Sequence, residues 1–246
     1  MAVNKIGTRR ESGLHRILKF RCAGAEGQTE VNAGAYVADG ISAEGEFIEV
    51  QTGSFAPLRQ KARELAFRGG LRIIHPVIAA KYIEVLDKRG QTLYRRKSPR
   101  RGSPWDLFDA LVYAPELPLI PGLRIELALV DVVEKRISDG KGSWRRKGLS
   151  ILSRELCAWH ESITLQSPKD YLRFVPFKRD EEFTTSLLAK KAGIPVHTAQ
   201  KTLNTLYKMK LVERIGKKGN TLVYKLKARY SRVEPGGYPP AIPNSR

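Results

Sequence analysis

Helical and alternating patterns of apolar residues succeed one another along the first part of the chain. In the stretch RRESGLHRILKFRCAG, Leu14, Ile17 and Leu18 lie at helical spacing, which predicts an amphipathic helix that begins near Arg9. The segments TEVNAG, AYVADGIS and EFIEVQTG are short, rich in Val, Ile, Tyr and Phe, and separated by glycine-containing turns, which is typical of three strands in a meander. A second helix and more strands follow, so the pattern predicts a layered fold of the α/β (α+β) class.

The pattern continues through the middle of the chain and then changes. Ser54 is the expected N-cap and Gly69 the expected C-cap of the second helix. The runs LRIIHPVIA, KYIEVLD and LRIELALVDVVEKRI predict strands and DLFDALVYAPE a helix, whereas LSILSRELCAWHESITLQS fits both a helix and a strand. We predict four parts in all: a first domain at 1–137, a connecting segment at 138–167, a second domain at 168–228 and a disordered tail at 229–246.

The balance of charge indicates a polyanionic partner. The 246 residues include 44 Lys and Arg against 25 Asp and Glu, a net charge of +19. Nucleic acid is the expected partner because neutralised phosphates release counterions, and an anionic membrane surface or a ribosomal environment are the alternatives. No apolar run approaches the length of a membrane span, and the two cysteines form no metal-ligand pattern. We therefore expect a soluble cytoplasmic protein, associated with the nucleoid, that does not bind membranes.

The second domain has the sequence pattern of two helices followed by a hairpin. Gly193 permits a left-handed turn between the helices, and Pro195 opens the second helix. In that helix Ala199, Leu203 and Leu206 form an apolar stripe. A basic hairpin with the turn GKKGN follows.

This pattern resembles the winged-helix superfamily over residues 168–228, which implies a winged helix-turn-helix that binds DNA. Some winged helices bind protein instead, and that alternative stays open. The polar face of the second helix and the tip of the wing carry donors suited to phosphates and base edges. The predicted DNA contacts of this domain are His197, Thr198, Gln200, Lys201, Asn204, Lys208, Lys217 and Lys218.

Two carboxylates and an amide are predicted to converge in the first domain. Side chains alternate across a strand, so Glu49 and Gln51 share one face. If the strands pair through GISAEGE, Asp39 comes opposite Glu49. Carboxylate oxygens suit Mg²⁺, and a bound ion of this kind assists phosphodiester hydrolysis. The alternative is that these residues line the solvated side of a sheet.

The order of these residues and elements resembles the PD-(D/E)xK phosphodiesterase superfamily over residues 9–137. The resemblance implies a restriction-endonuclease-like core, a mixed central sheet flanked by helices, in which Asp39 and Glu49 hold Mg²⁺ or Mn²⁺. It also implies that Glu11 is the helical acid of the site. Gln51 stands where most members have Lys, as in the Glu-x-Gln variants, and Ala38 stands where the usual motif has Pro.

Together these features predict a metal-dependent DNA endonuclease that a winged helix targets to duplex DNA. Its first domain adds basic residues expected to face phosphates, namely Arg59, Lys61, Arg63, Arg95, Arg96, Lys97, Arg100 and Arg101. The alternatives are a non-catalytic DNA-binding regulator or assembly protein with a degenerate nuclease fold, and an enzyme that acts on RNA. Because duplex cutting usually needs two active sites, a homodimer is a further option.

The histidines and tryptophans of the chain are weaker indications. His15 lies four residues after Glu11, on the same helical face, where it either assists the site or is a partly exposed structural histidine. His75 and His160 are expected to be structural. The three tryptophans fit core anchors better than stacking groups for bases.

Overall fold

The computed structural model describes residues 13–178 and 180–227, and it shows a mixed α+β fold with a mixed central sheet flanked by helices. Glu11 and the expected tail at 229–246 lie outside the described residues. The helices are α1 (Gly13–Ala23), α2 (Arg59–Gly69), α3 (Leu107–Leu111), α4 (Thr185–Ala192) and α5 (Val196–Lys208). The strands are β1 (Gln28–Ala33), β2 (Tyr36–Ile41), β3 (Phe47–Val50), β4 (Leu71–Leu86), β5 (Thr92–Lys97), β6 (Leu123–Ser138), β7 (Leu149–Leu165), β8 (Phe183–Thr184), β9 (Val212–Lys218) and β10 (Thr221–Leu226). Within the described ranges, no helix has the length and apolar character needed to cross a membrane.

Two compact units alternate along the chain. The described residues up to Thr52, with Ile74–Gly102 and Leu127–Ile163, form the first unit. Gly53–Ile73, Ser103–Glu126 and the described residues from Thr164 onward form the second. This interleaving differs from the predicted division at 137. Apolar periodicity reports which face of an element is covered, but it does not report which unit covers it.

A seven-stranded sheet has the order β1-β2-β3-β4-β6-β7, with β5 paired to β4. The predicted meander is confirmed, since β1 and β2 pair antiparallel, as do β2 and β3, where Gly40 lies opposite Ile48. The two strands expected between residues 71 and 87 are one strand, β4. The expected connecting segment at 138–167 contains β7, because the ambiguous apolar run at 149–167 forms an edge strand of the sheet.

The second helix starts and stops differently from the prediction. A 3₁₀ turn at Ala56–Leu58 precedes α2, and the Ser54 side chain accepts a hydrogen bond from the Ala56 N–H in that turn. The C-cap is Gly70, with a φ of 85°, rather than Gly69. A positive φ at the cap favours glycine. Gly69 and Gly70 both meet that requirement, so the sequence alone did not identify which of the two is the cap.

The core of the first unit lies where α1 covers the sheet. Leu14 and Leu18, four residues apart on one helical face, pack with Ile48, Val50 and Val130. Each is at most 3% exposed. Burial of such side chains contributes about 1.5–3 kcal/mol apiece. This packing fixes the position of α1 over β3.

The described part of the second unit contains the helices α2 to α5 and a three-stranded sheet of order β8-β10-β9. The Thr184 side chain caps α4 by accepting a hydrogen bond from the Leu187 N–H, and Gly193 ends that helix with a φ of 64°. α5 then begins after Pro195. The predicted helix, glycine turn, helix and hairpin are therefore all present in the described chain.

Candidate functional site

Asp39 and Glu49 are linked through each other's backbone. The Asp39 N–H donates to Glu49 Oε1 at 3.1 Å, and the Val50 N–H donates to Asp39 Oδ2 at 2.9 Å. The paired positions of β2 and β3 end at Gly40 and Ile48, so these two carboxylates accept the N–H groups that come next along the hairpin. The convergence expected from the hairpin is present.

Burial excludes the alternative of a solvated sheet face for Glu49. All four residues of β3 are buried, and Glu49 is only 4% exposed. The Asp39 side chain is 19% exposed. A carboxylate withdrawn from water needs charged or hydrogen-bonding partners, because its desolvation is costly otherwise. The site supplies such partners from α1.

Two basic side chains of α1 approach Asp39. His15 Nε2 lies 3.2 Å from Asp39 Oδ2, and Lys19 Nζ lies 3.8 Å from Asp39 Oδ1. Lys19 is 5% exposed and also lies 3.3 Å from Glu30 Oε1. Lys19 was missed in the sequence, although its spacing of four residues from His15 places both on the helical face predicted for Glu11. α1 thus provides a buried ammonium group beside the carboxylate pair.

The backbone of Gln51 is fixed to β4. Its N–H donates to the carbonyl of Ile74 at 2.9 Å, and its carbonyl oxygen lies 2.6 Å from His75 Nδ1. Burial lowers the pKa of His75 below its ordinary value of 6.5, and the hydrogen bond to Gln51 opposes that effect. The imidazole is therefore neutral near pH 7, with Nδ1–H as the donor. His75 is a structural histidine, as expected.

The carboxylate pair suits a hard divalent cation that prefers oxygen ligands better than a softer metal that prefers nitrogen or sulfur. Mg²⁺ binds through one or two carboxylates and keeps several waters for contact with phosphates, and Asp39 and Glu49 match this need. Among residues 13–178 and 180–227, no group of three or more His, Cys, Asp and Glu side chains could hold a metal ion. A third carboxylate would have to come from Glu11, which lies outside those residues.

The predicted basic contacts of the first unit are all exposed, namely Arg95, Arg96, Lys97, Arg100 and Arg101. Tyr82 on β4 lies beneath two of them. The Arg95 guanidinium is 5.1 Å and the Lys97 ammonium 5.8 Å from the centre of its ring. Their cationic groups thus stand on one side of the β4–β5 hairpin.

The basic residues of α2 differ in their surroundings. Arg59 Nε lies 2.7 Å from Glu116 Oε1, and the same guanidinium donates to the Tyr113 carbonyl, so Arg59 ties α2 to the turn at 113–116. Lys61 is half-buried and Arg63 is exposed. Of the three predicted contacts, Arg59 therefore has a structural role that the sequence did not reveal.

The polar face predicted for α5 is present except at one position. Thr198 is only 6% exposed and belongs to the buried stripe of this helix, so its assignment as a DNA contact is wrong. Its carbonyl accepts the Thr202 hydroxyl hydrogen bond at 2.9 Å. The remaining predicted contacts are half-buried or exposed, namely His197, Gln200, Lys201, Asn204, Lys208, Lys217 and Lys218.

Two of these lysines carry ion pairs. Lys201 Nζ lies 2.8 Å from Asp109 Oδ1 on α3, and Lys218 Nζ lies 3.3 Å from Glu182 Oε2. Both pairs are solvent-exposed, and such pairs contribute about 0–1 kcal/mol. Two lysines that were predicted to contact phosphates are thus paired with carboxylates of the protein itself.

Comparison with known proteins places the chain in a family. A family model described as "Domain of unknown function (DUF8091)" matches residues 12–166, which span α1 through β7. The chain belongs to this family. The matched residues include Asp39, Glu49 and Gln51, and they end before α4 and α5.

A relative in Treponema pallidum (strain Nichols), which carries the name "Uncharacterized protein", is 26% identical over 220 residues. The match covers 89% of this chain and 87% of the relative. It therefore extends well past residue 166 into the C-terminal helices. No solved structure matches the chain.

Proposed function

We propose that this member of the DUF8091 family is a metal-dependent DNA endonuclease, with a restriction-endonuclease-like core of the Glu-x-Gln type and a C-terminal winged helix that binds duplex DNA. One observation carries the catalytic part of the proposal. Asp39 and Glu49 lie side by side in a largely buried position, with the cationic Lys19 and the imidazole of His15 against Asp39. Paired carboxylates beside a buried cation suit phosphodiester hydrolysis better than structural support alone.

Each residue has a distinct part in this mechanism. Asp39 and Glu49 would hold Mg²⁺ or Mn²⁺, which supplies Lewis-acid polarisation of the phosphate and a water of lowered pKa. The Lys19 ammonium places positive charge where negative charge develops on the phosphate, which the neutral side chain of Gln51 cannot do. Gln51 orients the attacking water, and Glu11, four residues before His15 in the sequence, assists.

DNA docking rests on the second unit. The order of α4, the Gly193 turn, α5 and the β9–β10 hairpin matches the winged helix-turn-helix plan. His197, Gln200 and Lys208 are exposed along α5, so they suit contact with base edges and phosphates. The net charge of +19 provides the long-range attraction to a polyanion.

A cleavage assay with the full chain tests the proposal. We expect cutting of duplex DNA with Mg²⁺ or Mn²⁺ and none with EDTA, while single-stranded DNA and structured RNA run in parallel report the substrate class. Tight, salt-dependent DNA binding without cleavage under every metal condition would support the non-catalytic regulator instead. Cleavage that is confined to RNA would replace DNA as the substrate.

Lys19→Gln is expected to lower the maximal cleavage rate by about 10²-fold, because the variant loses a charge aimed at the developing phosphate anion. The substrate concentration for half-maximal rate should stay unchanged. Lys19→Arg, which keeps the charge, should recover part of the rate. The measurement is steady-state cleavage of labelled duplex DNA.

Arg16→Gln is the matched control, since it removes one charge from an exposed position of the same helix. It should leave the rate within about twofold, as surface substitutions usually have small effects. Thermal unfolding of each variant separates a folding defect from a catalytic one. If the rate falls only in proportion to the folded fraction, Lys19 is a structural residue.

Asp109→Asn is expected to tighten DNA binding by up to about fivefold at low salt. Without the Asp109 carboxylate, Lys201 does not have to give up an ion pair before it contacts a phosphate of DNA. The gain should shrink as salt is added, since exposed charges are screened. Fluorescence anisotropy of labelled duplex DNA measures the affinity. Glu181→Gln, which breaks the 3.4 Å exposed pair with Lys191, is the control and should have a smaller effect. Equal effects would show that only net charge matters.

A further inference from the structure

The loop between β6 and β7 presents a tryptophan to solvent. Trp144 is 83% exposed in this loop, residues 139–148, named here the β6–β7 tip. Trp105, in contrast, is 6% exposed, and Trp159 packs against the core of the first unit with the Arg21 guanidinium over its ring. The expectation of a core anchor is therefore wrong for Trp144. The indole of Trp144 is therefore available for contact with a partner, and the charges around it decide which partner it suits.

Hydrogen bonds hold the β6–β7 tip in one conformation. Asp139 Oδ1 accepts from the Lys141 N–H and from the Ser150 hydroxyl, both at 2.9 Å. The Gly142 N–H donates to the Gly148 carbonyl at 2.9 Å. A Cβ at Gly142 would lie 1.9 Å from the Leu149 carbonyl oxygen, so only glycine fits there. The tip therefore presents its indole from a built turn.

Hydrogen bonds also fix the backbone of the turn that carries the indole. The Lys147 N–H donates to the Trp144 carbonyl and the Arg146 N–H to the Ser143 carbonyl, each at 2.9 Å. Arg146 Nε also donates to the Leu149 carbonyl at 3.2 Å. Because the backbone that carries Trp144 is already ordered, the turn loses little conformational entropy when the indole binds, which favours recognition.

The charge of the tip identifies the chemistry of the partner. Four cationic side chains, Lys141, Arg145, Arg146 and Lys147, stand beside the single carboxylate Asp139, and that carboxylate already accepts the bonds described above. The Arg145 guanidinium lies 5.6 Å from the centre of the Trp144 ring. Cations around a flat aromatic ring match a polyanion that carries flat rings, which is a nucleic acid with accessible bases.

We propose that Trp144 stacks on an unpaired base of bound nucleic acid while the cations of the β6–β7 tip contact the flanking phosphates. The preferred ligand is therefore a strand with unstacked bases, or a duplex interrupted by them, over an uninterrupted duplex. The inference rests on the nucleic-acid-binding part of the proposed function and not on hydrolysis. An anionic lipid surface is less suited, because Trp144 is the only apolar side chain larger than glycine within the tip.

Binding is measured by fluorescence anisotropy in EDTA, so that cleavage does not contribute. The probes are a single strand, its fully paired duplex, and the same duplex with a run of unpaired bases. Trp144→Ala is expected to weaken binding to the first and third probes by about 5- to 150-fold, the range for loss of one stacked base, and to affect the paired duplex little. Trp144→Tyr should restore most of the affinity, because it keeps an aromatic face.

Phe67→Ala is the matched control, since Phe67 is an exposed aromatic residue at 93% on α2 and should leave all three affinities unchanged. Iodide quenching of wild-type fluorescence should decrease when the unpaired probe is bound, as the exposed indole becomes covered. Anionic phosphatidylserine vesicles form a parallel arm, because Ile151 and Leu152 on β7 are also exposed and would extend an apolar surface toward lipid.

Three results would overturn the inference. Equal affinities of wild type and Trp144→Ala for every probe would exclude stacking but leave DNA binding and cleavage intact. A loss of vesicle binding in Trp144→Ala, with nucleic-acid binding unchanged, would identify a lipid-facing tip. Absence of nucleic-acid binding by the wild type would refute this inference and the proposed function together.

Discussion

Asp39→Asn is expected to lower cleavage of duplex DNA by about 10²–10³-fold or more, the range for removal of one group that stabilises transition-state charge. The amide has the shape of the carboxylate and can still accept the Val50 N–H through its oxygen, so the fold should survive. It lacks the negative charge that holds a divalent ion. Glu49→Gln, which keeps an oxygen for the Asp39 N–H, should have a loss of similar size. Cleavage of labelled duplex with Mg²⁺ and with Mn²⁺ measures both effects.

The matched control is Glu26→Gln, an exposed carboxylate in the first unit, which should leave cleavage unchanged. DNA affinity in EDTA should also be unchanged or slightly tighter in Asp39→Asn, because one negative charge is gone. Calorimetric titration with Mn²⁺ gives a readout independent of activity, and the variants should bind the ion more weakly. Cleavage that persists in the Asp39→Asn/Glu49→Gln double variant would place the active site elsewhere.

Glu134→Gln is expected to reduce the free energy of unfolding by about 3–5 kcal/mol, the usual cost of removing one partner from a buried ionic network. Glu134 is 1% exposed and accepts from Arg136 Nε and Arg154 Nε, both at 2.8 Å, with Lys81 Nζ at 3.8 Å. Without the carboxylate charge, three cations stand together with no anion among them. Urea unfolding at neutral pH measures the loss.

The same residue predicts a pH dependence. Burial would raise the pKa of Glu134, but the hydrogen bonds from Arg136 and Arg154 outweigh it and lower the pKa below its ordinary value of 4.5. The folded state therefore binds this proton more weakly than the unfolded state. The stabilisation is complete above pH 4.5 and is lost as the pH falls through the lower, folded-state pKa.

Glu155→Gln is the control for the loss of stability at neutral pH. Its carboxylate lies 3.0 Å from Lys135 Nζ on the solvent side of the sheet, where the pair contributes at most about 1 kcal/mol. It should lose far less stability than Glu134→Gln at neutral pH. If the two variants unfold at the same urea concentration, the Glu134 network does not stabilise the fold.

Local rules determined much of the first unit. Alternation with a period of two and short glycine-containing turns predicted the β1–β2–β3 meander, and the length of the β2–β3 turn set Asp39 opposite Glu49. The C-terminal elements followed from equally local signals. A threonine cap, a left-handed glycine and a proline mark the ends of α4 and α5, and each acts within one turn of its own position.

Contacts between distant segments decided the rest. Lys19 and His15 reach Asp39 only because Leu14 and Leu18 press α1 onto β3. The segment at 149–167 fits a helix and a strand, and its pairing with β6 selects the strand. The spacing of residues along the chain indicates which side chains share a face of an element, but it does not indicate which other segment packs against that face.

The burial of single polar or aromatic residues was equally beyond the sequence. Thr198 was predicted to be exposed and is buried, whereas Trp144 was predicted to be buried and is exposed. Thr198 is buried because its position in the helical turn places it beside Ala199 on the covered stripe, and Trp144 is exposed because a hydrogen-bonded turn carries it beyond the end of two long strands. Local chemistry thus determined the elements and the carboxylate pair, and tertiary packing decided which cations surround that pair and which aromatic ring is left for a partner.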